Sequence, residues 1–182
     1  SEIRLLPVAR VRLGLMSGEL DLWLGLNNQV DLEAYTLQTQ SSFGALPINL
    51  YYRPDEAAPS WPDSLRGRTL ILITNYSYSL PVSRTLQDPR LALQTRTSSS
   101  HAGAIRMLLR GRGDYLLDYR GQVAAALDSL GMQALPHVTV DQPTMRLFVS
   151  RQRSDARALV NRLDQAFDAL VDEGVDMDVT RQ

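Results

Sequence analysis

Apolar and polar positions fall in blocks along this chain, and two kinds of block recur. One is a short, nearly unbroken apolar run, the pattern of a strand buried on both faces. Residues Leu20 to Leu26, Thr69 to Thr74 and Asp114 to Tyr119 show it most clearly. The other places apolar residues three and four apart, which gives a helix one buried face. Val8, Val11 and Leu15 follow this spacing after Pro7. So do Ala102, Ile105, Leu108 and Leu109, and then Val123, Ala124, Leu127 and Leu130. Gly18, Gly111 and Gly131 stand where these helices should stop. A further helix ends near Asp88-Pro89. The last and longest is capped by Ser154, carries Leu159, Val160, Leu163, Phe167, Leu170 and Val171 on one face, and ends at Gly174. Shorter strand signals lie at Ile3–Pro7, Tyr35–Leu37, Ile48–Arg53, Leu91–Thr95, His137–Val140 and Met145–Val149. Three prolines between Pro54 and Pro62 mark a loop. Strands that alternate with helices predict an α/β fold with largely parallel sheets flanked by helices.

Composition narrows the function classes. The chain has 182 residues, 44% of them hydrophobic and 21% charged, enough to bury a core. Nineteen basic and twenty acidic residues leave a formal charge of -1, so no global field favours nucleic acid or an anionic membrane. Every basic residue is Arg. The absence of Cys excludes disulfides, thiol nucleophiles, Cys-ligated zinc and iron–sulfur clusters. His101 and His137 lie far apart in sequence, so neither a metal site nor a cofactor is expected. No apolar run reaches the roughly 18–20 residues that span a bilayer. No basic-then-apolar leader opens the sequence, so any export signal is expected to have been removed or to lie outside it.

Four segments carry a family likeness. They are the helix leading into Ser17-Gly18-Glu19-Leu20-Asp21, the stretch Trp61 to Ile71 around Leu65-Arg66-Gly67-Arg68, Leu109-Arg110-Gly111-Arg112-Gly113-Asp114-Tyr115, and Met145 to Ser150 with the closing helix. In order and spacing they resemble the type 2 periplasmic binding fold, in particular the family 3 extracellular solute-binding proteins. The resemblance implies a two-lobed periplasmic-binding-protein-like architecture. Lobe 1 would comprise residues 1–53 and 143–182, lobe 2 residues 54–142, with hinges near Leu50–Pro54 and Asp141–Met145. The strand and helix with which the family opens have no counterpart here. A truncated chain, or a homodimer formed by element exchange, would account for that.

The function implied is that of a periplasmic solute-binding or sensor domain, which encloses a small polar metabolite between two lobes. An ABC transporter membrane component or a membrane sensor would read the bound form. Where the family grips a ligand carboxylate with Arg, residues Asn27 to Ala34 contain none, so an ordinary α-amino acid is not the implied ligand. The family's amine-binding acid falls on Tyr119, with Asp118 one position away. A periplasmic dehydratase-type enzyme on the same fold is one alternative; a degenerate binding module used for protein interaction is another.

Candidate ligand-binding residues follow from the rule that open α/β sheets bind beyond the carboxyl ends of their strands. They are Asn27 and Asn28, then Asn75, Tyr76, Ser77 and Tyr78, then Ser98, Asp118 and Tyr119. Tyr76 and Tyr78 offer flat walls with hydroxyl handles. Ser98, Ser99 and Ser100 equally suit helix capping, which is the stronger reading. His101 is expected to be a solvated first-turn residue and His137 a structural one.

Overall fold

The computed structural model describes residues 3–27, 32–76 and 78–180. Asn28 and Ser77, both expected to bind ligand, lie outside the described residues. Tertiary contacts divide the chain into two compact units, Ser1–Ala45 with Thr144–Gln182, and Leu46–Pro143.

The first unit contains α1 (Val8–Ser17), β1 (Leu22–Leu26), β2 (Thr36–Gln38), β8 (Met145–Ser150) and α5 (Ala156–Asp172). Its sheet has the order β1-β8-β2 and is antiparallel throughout. Side chains alternate across β8, so successive residues serve opposite faces. Phe148 packs with Val11, Leu15 and Leu32 on the α1 side, and Val149 with Ala156 and Val160 on the α5 side. Trp23 stacks at 5.4 Å on Phe148. The carboxyl end of α1 exposes orphan carbonyls, as every helix end does. Ser150 Oγ donates to Leu15 O (2.7 Å) and Gln152 Nε2 to Met16 O (3.2 Å), so the turn after β8 caps this helix.

Several expectations shift here. Residues 3–7 form no strand, and Ile3 and Leu5 are almost fully exposed. Ser154 does not cap the last helix. Asp155 occupies that position without a side-chain cap bond, and its carboxylate is held by Arg153 instead. The apolar stripe of α5 is buried at Ala156 and Val160, whereas Leu170 and Val171 are exposed.

The second unit holds β3 (Ile48–Tyr51), β4 (Thr69–Ile73), α2 (Leu80–Leu86), β5 (Gln94–Ser98), α3 (His101–Leu109), β6 (Tyr115–Tyr119), α4 (Arg120–Leu130) and β7 (His137–Asp141). Its sheet runs β5-β4-β6-β3-β7. Only β5-β4-β6 is parallel; β3 pairs antiparallel with both β6 and β7. The second sheet is therefore mixed and the first antiparallel, rather than both largely parallel, because parallel pairing needs a helical crossover and only β4-α2-β5 and β5-α3-β6 supply one. The expected boundary also moves. The sequence reading placed residues 48–53 in the first lobe, but β3 finds its partners on both sides within the second unit.

Alternation along β6 sets two cores. Leu116 joins Ile71, Ile105 and Val123 beneath α3 and α4, while Leu117 joins Leu70, Leu50 and Val82 on the α2 side. Each fully buried Leu of this kind contributes about 1.5–3 kcal/mol. The strand expected at Leu91–Thr95 sits three residues later, at Gln94–Ser98. Leu91 is buried from a single 3-10 turn, Pro89–Leu91, that precedes it.

Candidate site at the carboxyl edge of the second sheet

From β4 the chain crosses to β5 through α2 and returns through α3 to β6, on the other side of β4. The strand order thus reverses at β4, the place where open α/β sheets gather ligand-binding loops. Three connections meet there.

The first follows β4. Thr74 N donates to Ser98 O (2.9 Å), the last bond of the parallel ladder, and Tyr76 N donates to Ile73 O (3.3 Å) to close a turn. Asn75 takes a left-handed conformation, φ 60°, which Asn tolerates better than most residues. Tyr76 is left about one-third exposed. Tyr78 turns inward. Its hydroxyl donates to Leu117 O (2.9 Å) and accepts from Ile73 N (3.4 Å), filling the gap where β4 and β6 part. Burial pushes this phenol well above its ordinary range.

The second connection follows β5. Ser98 Oγ donates to Ser100 O (2.8 Å), and Ser100 Oγ accepts from Gly103 N (3.1 Å) as the N-cap of α3. Ser100 thus caps α3, and Ser98 braces the capping residue. A Cβ at Gly103 would stand 2.6 Å from Ser98 Oγ, so a side chain there would displace that hydroxyl. The cap fixes His101 as the first residue of α3.

The third connection is the end of β6. Asp118 and Tyr119 point to opposite faces, as neighbours in a strand must. Tyr119 lies on the α2 side, stacked on Tyr78 with centroids 6.1 Å apart and planes at 10°. Burial, then Tyr76, Asp141 and Asp118, push its phenol up to about 12. Asp118 is wholly buried on the α3 side. One carboxylate oxygen accepts from Tyr119 N (2.8 Å); the other meets His101 Nδ1 at 2.6 Å. Burial raises the Asp118 carboxyl above its ordinary range, and the imidazole and the backbone N–H oppose that rise.

His101 is therefore not a solvated first-turn residue. Its side chain is 23% exposed and hydrogen-bonded to Asp118. Tyr76 stands edge-on to it at 5.3 Å and to Tyr119 at 5.8 Å. Behind this pair, wholly buried Asn49 sits opposite Asp118 in register. It accepts from Thr139 Oγ1 (2.9 Å) and donates to Tyr51 Oη (3.2 Å).

Of the nine residues chosen from sequence, the second sheet brings together Asn75, Tyr76, Tyr78, Ser98, Asp118 and Tyr119. Asn27 belongs to the first unit. There it bridges to Thr144 through two bonds, Asn27 N to Thr144 O (2.9 Å) and Thr144 N to Asn27 Oδ1 (3.1 Å). His101 is the site residue that sequence reasoning missed. The signal was the acid in Leu116-Leu117-Asp118: a carboxylate in a buried strand needs a counter-charge. His137 is exposed, with Nδ1 near Leu135 O. Among the described residues no group of three metal-ligating side chains forms.

No family model and no curated protein matches the chain. Solved structures do. The periplasmic VFT2 domain of Bordetella pertussis BvgS aligns with a TM-score of 0.57 at 19% identity, over 93% of this chain and 69% of that one. A histidine kinase sensor domain with similarity to periplasmic binding proteins aligns with a TM-score of 0.61 at 18% identity, over 91% and 70%. The probable amino-acid ABC transporter extracellular-binding protein ytmK from Bacillus subtilis gives a TM-score of 0.61 at 13% identity, over 94% and 74%. The chain thus has the α/β fold of the type 2 periplasmic binding proteins, and its own contacts divide it into two units.

Proposed function

We propose that this chain is a periplasmic solute-binding or sensor domain that holds a small polar metabolite at the carboxyl edge of the second unit's sheet. One observation carries the reading: an exposed tyrosine, a paired imidazole and the serine-capped start of α3 converge where the strand order reverses. The similar solved structures include a sensor domain of a histidine kinase and a binding protein of an ABC transporter, so a membrane component of either kind is the partner to seek. The Asp118–His101 pair is also what a general base requires. Turnover of a prephenate-like acid would therefore favour the dehydratase reading.

The test is thermal shift against a panel of polar metabolites. A ligand present at 100 times its Kd adds about 2.7 kcal/mol. Tyr76→Ala should abolish that shift while leaving the melting temperature of the free protein nearly unchanged. Tyr78→Phe should do the reverse, because its hydroxyl bridges two strands. A panel without a single hit, or a hit that Tyr76→Ala binds equally well, would sink the proposal.

A further inference from the structure

The second unit carries another constellation on α3, beyond the carboxyl edge of its sheet and independent of the binding reading above. Gly103, Arg106, Met107 and Arg110 lie three and four apart, so they share one face of the helix. Gly111 takes a left-handed conformation, φ 64°, and the chain doubles back so that Arg112 N donates to Met107 O (2.9 Å). Arg112 thereby joins those four in lining one hollow of about 180 Å³. The three arginines are exposed, and no acid is among the described residues of the lining. None of their guanidinium groups has an ion pair or a hydrogen bond among the described residues, whereas Arg53, Arg68 and Arg90 of the same unit each meet an acid. Asp114, the nearest acid along the chain, is already held by Arg68 and Thr69 N. Arg96 of the edge strand β5 adds positive charge on the same side of the sheet, since its register partner Ile71 packs beneath α3.

A cation near the carboxyl end of a helix is favourable by itself, which accounts for one arginine there. It does not account for three around one hollow. Like charges four apart on a helix repel, and Arg106 and Arg110 stand at that spacing. An anion seated among the three removes the repulsion. Each guanidinium is a planar fork that grips two oxygens of one group. A carboxylate has only two oxygens and is satisfied by a single fork; a phosphoryl group offers three or more around a tetrahedral centre, which suits several forks at once. We propose that this hollow binds a phosphoryl group, with Arg106, Arg110 and Arg112 as its donors and Gly103 and Met107 as the uncharged part of the lining. Free inorganic phosphate and the head group of a membrane lipid present the same oxygens, and either can be the source.

Inorganic phosphate and acetate can be titrated into the whole chain at low ionic strength while NMR follows the amides of Gly103 to Gly113. Phosphate should move these signals saturably, bind about tenfold tighter than acetate, and weaken as sodium chloride is added. The double substitution Arg106→Gln with Arg110→Gln, checked for folding by circular dichroism, should lose about tenfold or more. Vesicles of phosphatidylcholine, with and without phosphatidic acid, separate the sources. Co-sedimentation that needs phosphatidic acid and is lost in the double variant, with free phosphate leaving the signals unmoved, assigns the site to a lipid head group; movement by free phosphate assigns it to a soluble one. No response to either source, acetate bound as tightly as phosphate, undiminished binding by the double variant, or shifts confined to the Ser98–His101 amides would each overturn the site. The contest between phosphate and acetate on the unaltered chain decides should the variant not fold. None of these outcomes depends on Tyr76, so the metabolite reading stands or falls separately.

Discussion

The two units bury polar groups in different ways. In the first, each buried hydroxyl ends on the backbone: Thr36 Oγ1 on Leu32 O, Ser150 Oγ on Leu15 O, and Thr39 Oγ1 beneath Leu147 N. In the second, buried Asn49 ends on the side chains of Tyr51 and Thr139, and Asp118 on the ring of His101 as well as on Tyr119 N. Hydroxyl-to-backbone bonds stitch elements together and carry no charge. Side-chain pairs can titrate and can be reoriented by a ligand. The contrast supports the proposal that recognition chemistry lies in the second unit.

Removing His101 should expose the contrast most strongly. His101→Ala leaves an uncompensated buried carboxylate, and breaking such a pair costs about 3–5 kcal/mol. Urea unfolding at pH 7 measures it, and a loss under about 1 kcal/mol would mean that Asp118 is not charged in the fold. Ser150→Ala in the first unit strips one cap from the end of α1 and should cost about 1–3 kcal/mol. That loss should be independent of pH from 5 to 8, since no ionisable group is involved.

Beside the ion pairs of Arg153 with Asp21 and Asp155, the first unit has a charged fastener in Asp164. It accepts from Gln40 N (3.1 Å), Ser41 N (2.9 Å) and Ser41 Oγ (2.7 Å). Burial alone would raise its carboxyl, but the bonds from Ser41 and Gln40 outweigh that and hold it below the ordinary range. A lowered carboxyl stabilises the fold above the unfolded carboxylate range and loses that contribution as pH falls through its own value. Asp164→Ala should therefore cost about 1–2 kcal/mol at pH 7, and the gap from wild type should close on acidification below about pH 4. A gap that stays open at low pH would show packing rather than charge.

Asp118→Asn should have the smallest effect and the opposite sign of pH dependence. A raised carboxyl weakens the fold as pH climbs from its unfolded range through its folded value. The amide still accepts from Nδ1–H, so the variant should match wild type within about 1 kcal/mol at pH 4 and gain on it as pH rises. Melting temperatures across pH 4 to 8 test the sign. A variant that falls behind with rising pH would reverse the assignment of burial as the dominant influence on Asp118.

Legibility in the sequence followed burial. The apolar runs that became β4 and β6 were readable because both faces of those strands are covered. The edge strand β5, Gln94-Thr95-Arg96-Thr97-Ser98, is exposed and polar, so it left no period-two signal, and neighbouring Leu91 and Leu93 drew the expected strand forward. Such polar edges resist strand-to-strand aggregation. The division near Ala45 was illegible for a different reason, since β3 is assigned by partners about 70 and 90 residues later in the chain. Six of nine candidate residues met at one edge because the strand-end rule depends only on order along the chain. His101 escaped because its meaning lies in Asp118, which the register of β6 turns toward α3.

Gly103 makes the site uneven under mutation. Two serine hydroxyls close over its bare Cα, so a side chain there would have to displace them and disturb the cap of α3. Tyr76 hangs outside that scaffold. Exchanging the aromatic ring of Tyr76 leaves that cap untouched, whereas a side chain at Gly103 meets it directly.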